Sequence, residues 1–132
     1  MIVFTMDLER AKEFHGHLGP FLVLGLRMGE KALALLGANK YFGLKATVFC
    51  PIEPPERCMA DGIQLSTGCT FGKGNIELVP SRRLALFLHS GDKGVRVEVR
   101  EEAIEKIKEW LKEGEEIAVS NLLQMPDEEL FI

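Results

Sequence analysis

A chain of 132 residues, 46% hydrophobic and 27% charged, is the size of one domain able to bury about two-thirds of its unfolded surface, which excludes both disorder and dependence on a covalent staple. The net charge of −4, with Arg82-Arg83 as its basic cluster, argues against a nucleic-acid partner, which needs grouped Lys and Arg. The longest apolar stretch, residues 18–28, is broken by Gly19, Pro20, Gly25 and Arg27 and falls short of the roughly 20 residues of a membrane span, and the first residues lack a secretory pattern; a cytoplasmic, membrane-free protein is expected.

In chain order, Asp7 caps a predicted short helix over residues 8–14, with Glu9 in the first turn where the helix dipole favours it. A turn containing His15 and His17 ends it. Pro20 then opens a long helix over residues 20–36, apolar over most of its circumference and closed by Gly37, whose Gly25 and Gly29 leave room for a close neighbour; this helix is expected to be central. Residues 44–50 (LKATVFC) read as a strand, residues 51–57 (PIEPPER) as a rigid excursion, and residues 58–65 as a short helix despite Gly62. Strands follow over 76–79, 83–89 and 95–99, the last two joined by the hairpin turn SGDKG. Residues 101–112 form an amphipathic helix stopped by Gly114, and Pro126 followed by DEEL starts one last short helix in an apolar tail. No repeat or linker interrupts residues 1–132, which are read as one α+β domain with a mostly antiparallel sheet packed against helices.

Three segments could carry chemistry. In an extended stretch, side chains two apart share a side, which would let His15 and His17 face one point across Gly16; two imidazoles suit zinc, copper, iron or nickel, or else simply hydrogen-bond around the helix entry. Cys58, Asp61 and Gln64 recur at helical spacing, a costly stripe to bury without partners and therefore a candidate pocket wall. The third segment, residues 67–75 (TGCTFGKGN), is a glycine-rich loop in which Thr67, Gly68 and Gly72 could turn backbone N–H groups to an anion with Lys73 adding charge, although its spacing is not that of a nucleotide-hydrolysing loop. Cys50, Cys58 and Cys69 are odd in number and form no CxxC pair, so they are fillers, ligands or nucleophiles rather than a disulfide framework; a lysine or imidazolium near Cys69 would favour its thiolate.

Residues 14–20 (FHGHLGP) and, about forty residues on, residues 58–75 resemble the family of the formylmethanofuran dehydrogenase E-subunit, and the likeness extends over almost the whole chain to the closing MPDEELF. The resemblance implies an α+β core that pairs as a homodimer and binds a divalent transition metal, commonly zinc, with ligands from the histidine motif and the cysteine segment: His15, His17, Cys58 and Cys69, with Asp61 as a further candidate. It also implies an association with molybdenum or tungsten redox enzymes of one-carbon metabolism. These residues contain no CxxC pairs, so the likeness is to the stand-alone core without the zinc finger some members carry. The family's usual HGHxCPG departs here to Gly19 in place of Cys and Phe21 in place of Gly, which removes one thiolate and could leave an open metal position.

Two functions are therefore expected to compete. One is a metal-binding accessory or small-molecule-binding module whose histidine turn and residues 58–73 face each other across one pocket, with a redox enzyme as possible partner. The other is a free-standing enzyme, either a metal-assisted hydrolase with Asp61 as base and Lys73 steadying an anion, or a cysteine-dependent enzyme using Cys69.

Overall fold

The structure, a computed structural model, describes residues 7–132. Helix α1 (Leu8–His15) begins at Asp7, whose carboxylate accepts the Glu9 N–H at 2.9 Å. Helix α2 (Pro20–Leu36) carries proline at its first turn, where a missing N–H costs nothing, and stops at Gly37 in the left-handed region. Strand β1 (Lys45–Cys50) leads through the proline-rich loop and a 3-10 turn (Glu56–Cys58) into α3 (Met59–Thr67) and then β2 (Ile76–Pro80). Strands β3 (Ala85–Ser90) and β4 (Lys93–Glu98) form a hairpin with Gly91 at φ 60, and α4 (Glu101–Glu113), α5 (Glu115–Gln124) and α6 (Asp127–Leu130) complete the chain.

The four strands form one sheet in the order β2-β1-β3-β4. β3 and β4 pair antiparallel, as the SGDKG turn suggests, and β1 pairs antiparallel with β3, but β1 and β2 run parallel, which requires a crossover that the proline-rich loop and α3 supply. The α+β class is as expected from the sequence. Alternation sets the faces: Ala46 opposite Leu88 and Val48 opposite Leu86 point into the core, whereas Thr47, Phe87 and Arg96 line up on the outer face.

Helix α2 occupies the middle. Phe21, Leu22, Val23, Leu24, Leu26 and Met28 are all at most 2% exposed, and each large apolar side chain so buried contributes about 1.5–3 kcal/mol. Against it α3 packs almost backbone to backbone. A Cβ on Gly25 would lie 2.0 Å from the Met59 carbonyl oxygen, and one on Gly62 2.2 Å from that of Leu22, so only glycine fits at either crossing point. Arg27, which in sequence merely interrupts an apolar run, is a buried strut. Its guanidinium donates to the carbonyls of Leu122 (2.8 Å) and Met125 and to Asp127 (2.6 Å), tying α2 to the α5–α6 segment.

The sequence leaves α5 unassigned, because Gly114 reads as a terminus. In the structure Gly114, at φ 142, is the single residue between α4 and α5. No helix among the described residues is long and apolar enough to cross a membrane.

Candidate functional site

His15 is the last residue of α1, and Gly16, at φ 105, turns the chain in the left-handed region so that His17 comes back beside it. The two rings stand 4.9 Å apart between centroids, tilted by 38°. Their proximity matches the expectation, but its cause is the glycine helix stop rather than alternation along an extended strand.

Each ring is held from outside by a carboxylate. His15 Nδ1 lies 2.6 Å from Asp61 Oδ2, and His17 Nδ1 lies 2.9 Å from Glu115 Oε1. An ionised carboxylate only accepts, so in the His15–Asp61 hydrogen bond Nδ1 donates and the neutral ring keeps its lone pair on Nε2, whereas His17 and Glu115, both exposed, stand at ion-pair distance. Histidines that bind metals are oriented in this way, the carboxylate fixing the tautomer and raising ligand basicity. The His15 side chain is 11% exposed and sits in the protein wall, while that of His17 is 56% exposed.

Gly19 adjoins this pair. A Cβ at that position would meet His17 Cε1 at 3.2 Å and Glu115 Oε1 at 3.3 Å, tighter than ordinary contact, so the glycine leaves the space in which Glu115 reaches His17.

α3 presents the second wall. His15, Cys58, Asp61, Gln64 and Phe71 line a cavity of about 330 Å³. The Cys58 thiol is half-buried, and burial first, then the Asp61 charge, push its pKa up, so it is a thiol until a cation displaces its proton.

The remainder of the glycine-rich segment lies elsewhere. Cys69 is fully buried among core side chains, and burial raises its thiol against smaller lowering effects of the Thr67 hydroxyl and Lys73. That is a filler's environment, opposite to the exposed, electropositive setting that makes a cysteine nucleophilic. Thr67 is also buried, its hydroxyl donating to the Ile63 carbonyl at 2.6 Å and accepting the Cys69 N–H at 3.1 Å. Four of the loop's backbone donors are spent internally: Gly68 N–H on Gln64 O, Thr70 N–H on Asn75 Oδ1, Phe71 N–H on Gln64 Oε1 and Lys73 N–H on Thr70. Gly72 lies on the exposed part of this turn.

The single pocket expected across residues 58–73 is thus two. Gly68 and Lys73 line a separate cavity of about 390 Å³ together with Arg10, Lys40 and Tyr41, and Gln64 stands in the wall of both. His89 lies in β3, packed beside Phe87 at 5.5 Å between ring centroids, apart from either.

As a metal centre the histidine pair is an incomplete cage. Among the described residues no group of three or more His, Cys, Asp or Glu side chains is already gathered in metal-holding geometry. The donor chemistry nevertheless fits: two imidazoles with outer carboxylates, and a thiol in the wall of the cavity that His15 enters.

Comparison with known proteins places the chain in a family. The family model FmdE, molybdenum formylmethanofuran dehydrogenase operon, matches residues 14–132. The chain belongs to the FmdE family. A relative from Archaeoglobus fulgidus, described as a probable S-adenosyl-L-methionine-binding protein, is 38% identical over 107 residues, 77% of this chain and 29% of that protein. The chain therefore spans less than a third of that relative's length. Among solved structures, an FmdE-like protein of the tungsten formylmethanofuran dehydrogenase type from Syntrophus aciditrophicus superposes with a TM-score of 0.69 at 24% identity, covering 95% of this chain and 67% of that one, and shares the fold. Glu115, Tyr41, Lys40 and Arg10 are the site residues that sequence reasoning missed. The Lys40-Tyr41-Phe42 run after the Gly37 stop is the signal that could have found Lys40 and Tyr41, since it exposes aromatics beside a cation.

Proposed function

We propose that this FmdE-family chain is a metal-binding accessory or ligand-binding protein of one-carbon or molybdenum/tungsten redox metabolism, which takes a zinc-type divalent ion at His15 and His17. The observation that carries the reading is the pair of neighbouring imidazoles, each with Nδ1 beside a carboxylate of Asp61 or Glu115, with His15 in the wall of a cavity that also contains Cys58. Cys58 is the third ligand in this account. Cys69, enclosed in the core, is not a ligand here and serves packing. A bound zinc-type ion would supply Lewis acidity at a position left open to a ligand. The chain's own contribution is to hold the His15 proton on Nδ1, keep the two rings together and shield one side of the site with the His15 wall. Asp61, engaged with His15, acts as a positioning residue rather than a free base.

The archaeal relative's description raises S-adenosylmethionine as a ligand, but this chain spans 29% of that protein. The cavity that Tyr41 lines is also lined by Arg10, Lys40 and Lys73, which oppose a sulfonium cation, so the metal reading is the one put forward.

Metal content tests it. Zinc-reconstituted, dialysed protein measured by plasma mass spectrometry is expected to hold about one ion per chain, and a His15→Ala/His17→Ala variant none. Wild type and variant with equal zinc would overturn the reading.

A further inference from the structure

The cavity on the far side of Gln64 has a composition of its own. Arg10 from α1, Lys40 and Tyr41 from the turn after α2, and Lys73 from the glycine-rich loop converge on about 390 Å³, within the range of small-ligand pockets. The one carboxylate in its lining, Asp7, is engaged in capping α1. The balance of charge is cationic.

Its aromatic surface is held in place by the fold. Tyr41 adopts φ 87, a region bulky residues seldom enter, and its N–H donates to the Thr67 carbonyl at 2.9 Å. Gly68 makes this possible: a Cβ there would lie 2.4 Å from Tyr41 Cδ1 and 2.9 Å from its Cα, so the absence of a side chain at the end of α3 admits the tyrosine. Tyr41 is left 50% exposed, and Phe42, beside it and outside the cavity's lining, 82% exposed. Lys40 Nζ lies 4.8 Å from the Tyr41 ring centroid, while Lys73 Nζ lies 5.6 Å from it, 5.2 Å from the Phe42 centroid and 3.1 Å from the Tyr41 carbonyl. Two ammonium groups are therefore poised over exposed rings, and neither takes part in the lysine–carboxylate pairs among the described residues.

We propose that this cavity binds an anionic ligand carrying a flat aromatic ring, of the nucleoside monophosphate kind, with the ring on Tyr41 and the phosphate on Lys40, Lys73 and Arg10. A neutral ring would leave the ammonium groups without a counter-charge, and a bare anion would leave the aromatic faces in water; the combination satisfies both. The loop's backbone is not the phosphate cradle, because the N–H groups of Gly68, Thr70, Phe71, Lys73 and Gly74 are bonded within the turn and Gly72 does not line the cavity. His15 and His17 do not line this cavity, so the inference stands apart from the metal reading.

The test titrates AMP, adenosine and inorganic phosphate into the full chain by calorimetry at low and moderate salt. AMP is expected to bind about tenfold or more tightly than either fragment, and more weakly as salt rises. A Lys40→Gln/Lys73→Gln variant, altered only at exposed positions, should lose about tenfold or more for AMP while changing adenosine little. Tyr41→Asn, which removes the ring but tolerates positive φ, should weaken AMP and adenosine and leave phosphate unchanged. Absence of saturable AMP binding, AMP no tighter than phosphate or adenosine, or wild-type AMP affinity in the folded lysine variant would each overturn the proposal.

Discussion

Replacing Gly25 by alanine tests whether α2 and α3 truly meet backbone to backbone. In an exposed helix interior, glycine to alanine stabilises by about 1 kcal/mol through propensity alone. Here the new Cβ would sit 2.0 Å from the Met59 carbonyl oxygen and 2.8 Å from its carbon, inside the 3.4 Å at which ordinary contact begins. The helices would have to separate by more than about 1 Å, and the obstructing atoms are main chain, which cannot turn aside. Overpacking of this kind costs about 1–3 kcal/mol and more where backbone must move, so a net loss of about 2 kcal/mol is expected. For a domain of this size that corresponds to about 8 °C in Tm. At Gly29 an added methyl would lie 1.8 Å from the Ser66 hydroxyl and 2.7 Å from its Cβ, which cannot rotate away, so Gly29→Ala should destabilise as well. Guanidinium unfolding followed by circular dichroism measures both. A neutral or stabilised Gly25→Ala would refute the close crossing, and with it the placement of Asp61 against His15.

Three further outcomes are expected. Thiol reagent added to native protein at neutral pH should modify Cys58 first, leaving Cys50 and Cys69 protected until unfolding, because burial raises all three thiols but only Cys58 is partly exposed; fast native labelling of Cys69 would contradict its core position. Glu98 is held below the ordinary glutamate range chiefly by its hydrogen bond from Arg96, with Arg83 at 2.9 Å adding to it. A carboxylate depressed in the folded state stabilises above its unfolded pKa and loses that stabilisation as pH falls through the folded one, so Glu98→Gln should be less stable than wild type near about pH 6 and equal to it near about pH 2; a gap independent of pH would refute the assignment. Cobalt(II) added to metal-free protein should give a thiolate charge-transfer band that Cys58→Ser abolishes, whereas an unchanged band would remove Cys58 from the ligand set.

What the sequence made legible was local. Helix α2 was bounded by Pro20 and Gly37, each acting through backbone geometry alone, and α1 by Asp7 and the histidine turn. The parallel β1–β2 pair was not legible, because strand direction is decided by the crossover through α3 and not by any residue in either strand. The same holds for the site. His15, His17, Cys58 and Asp61 could be singled out by type and spacing, but Glu115 reaches His17 from a helix that the sequence hid behind Gly114, and Gly19 is what leaves it room. Cys69 looked chemical beside Lys73; its burial follows from the packing of α3's end against the core, which no short motif reveals.

That His15 and His17, oriented by Asp61 and Glu115, hold a divalent ion is tested most directly by calorimetric titration of zinc into metal-stripped protein, beside the His15→Ala/His17→Ala variant. One saturable site per chain is expected in wild type and none in the variant. A wild type that takes up no zinc, or a variant that binds it equally well, would contradict the assignment.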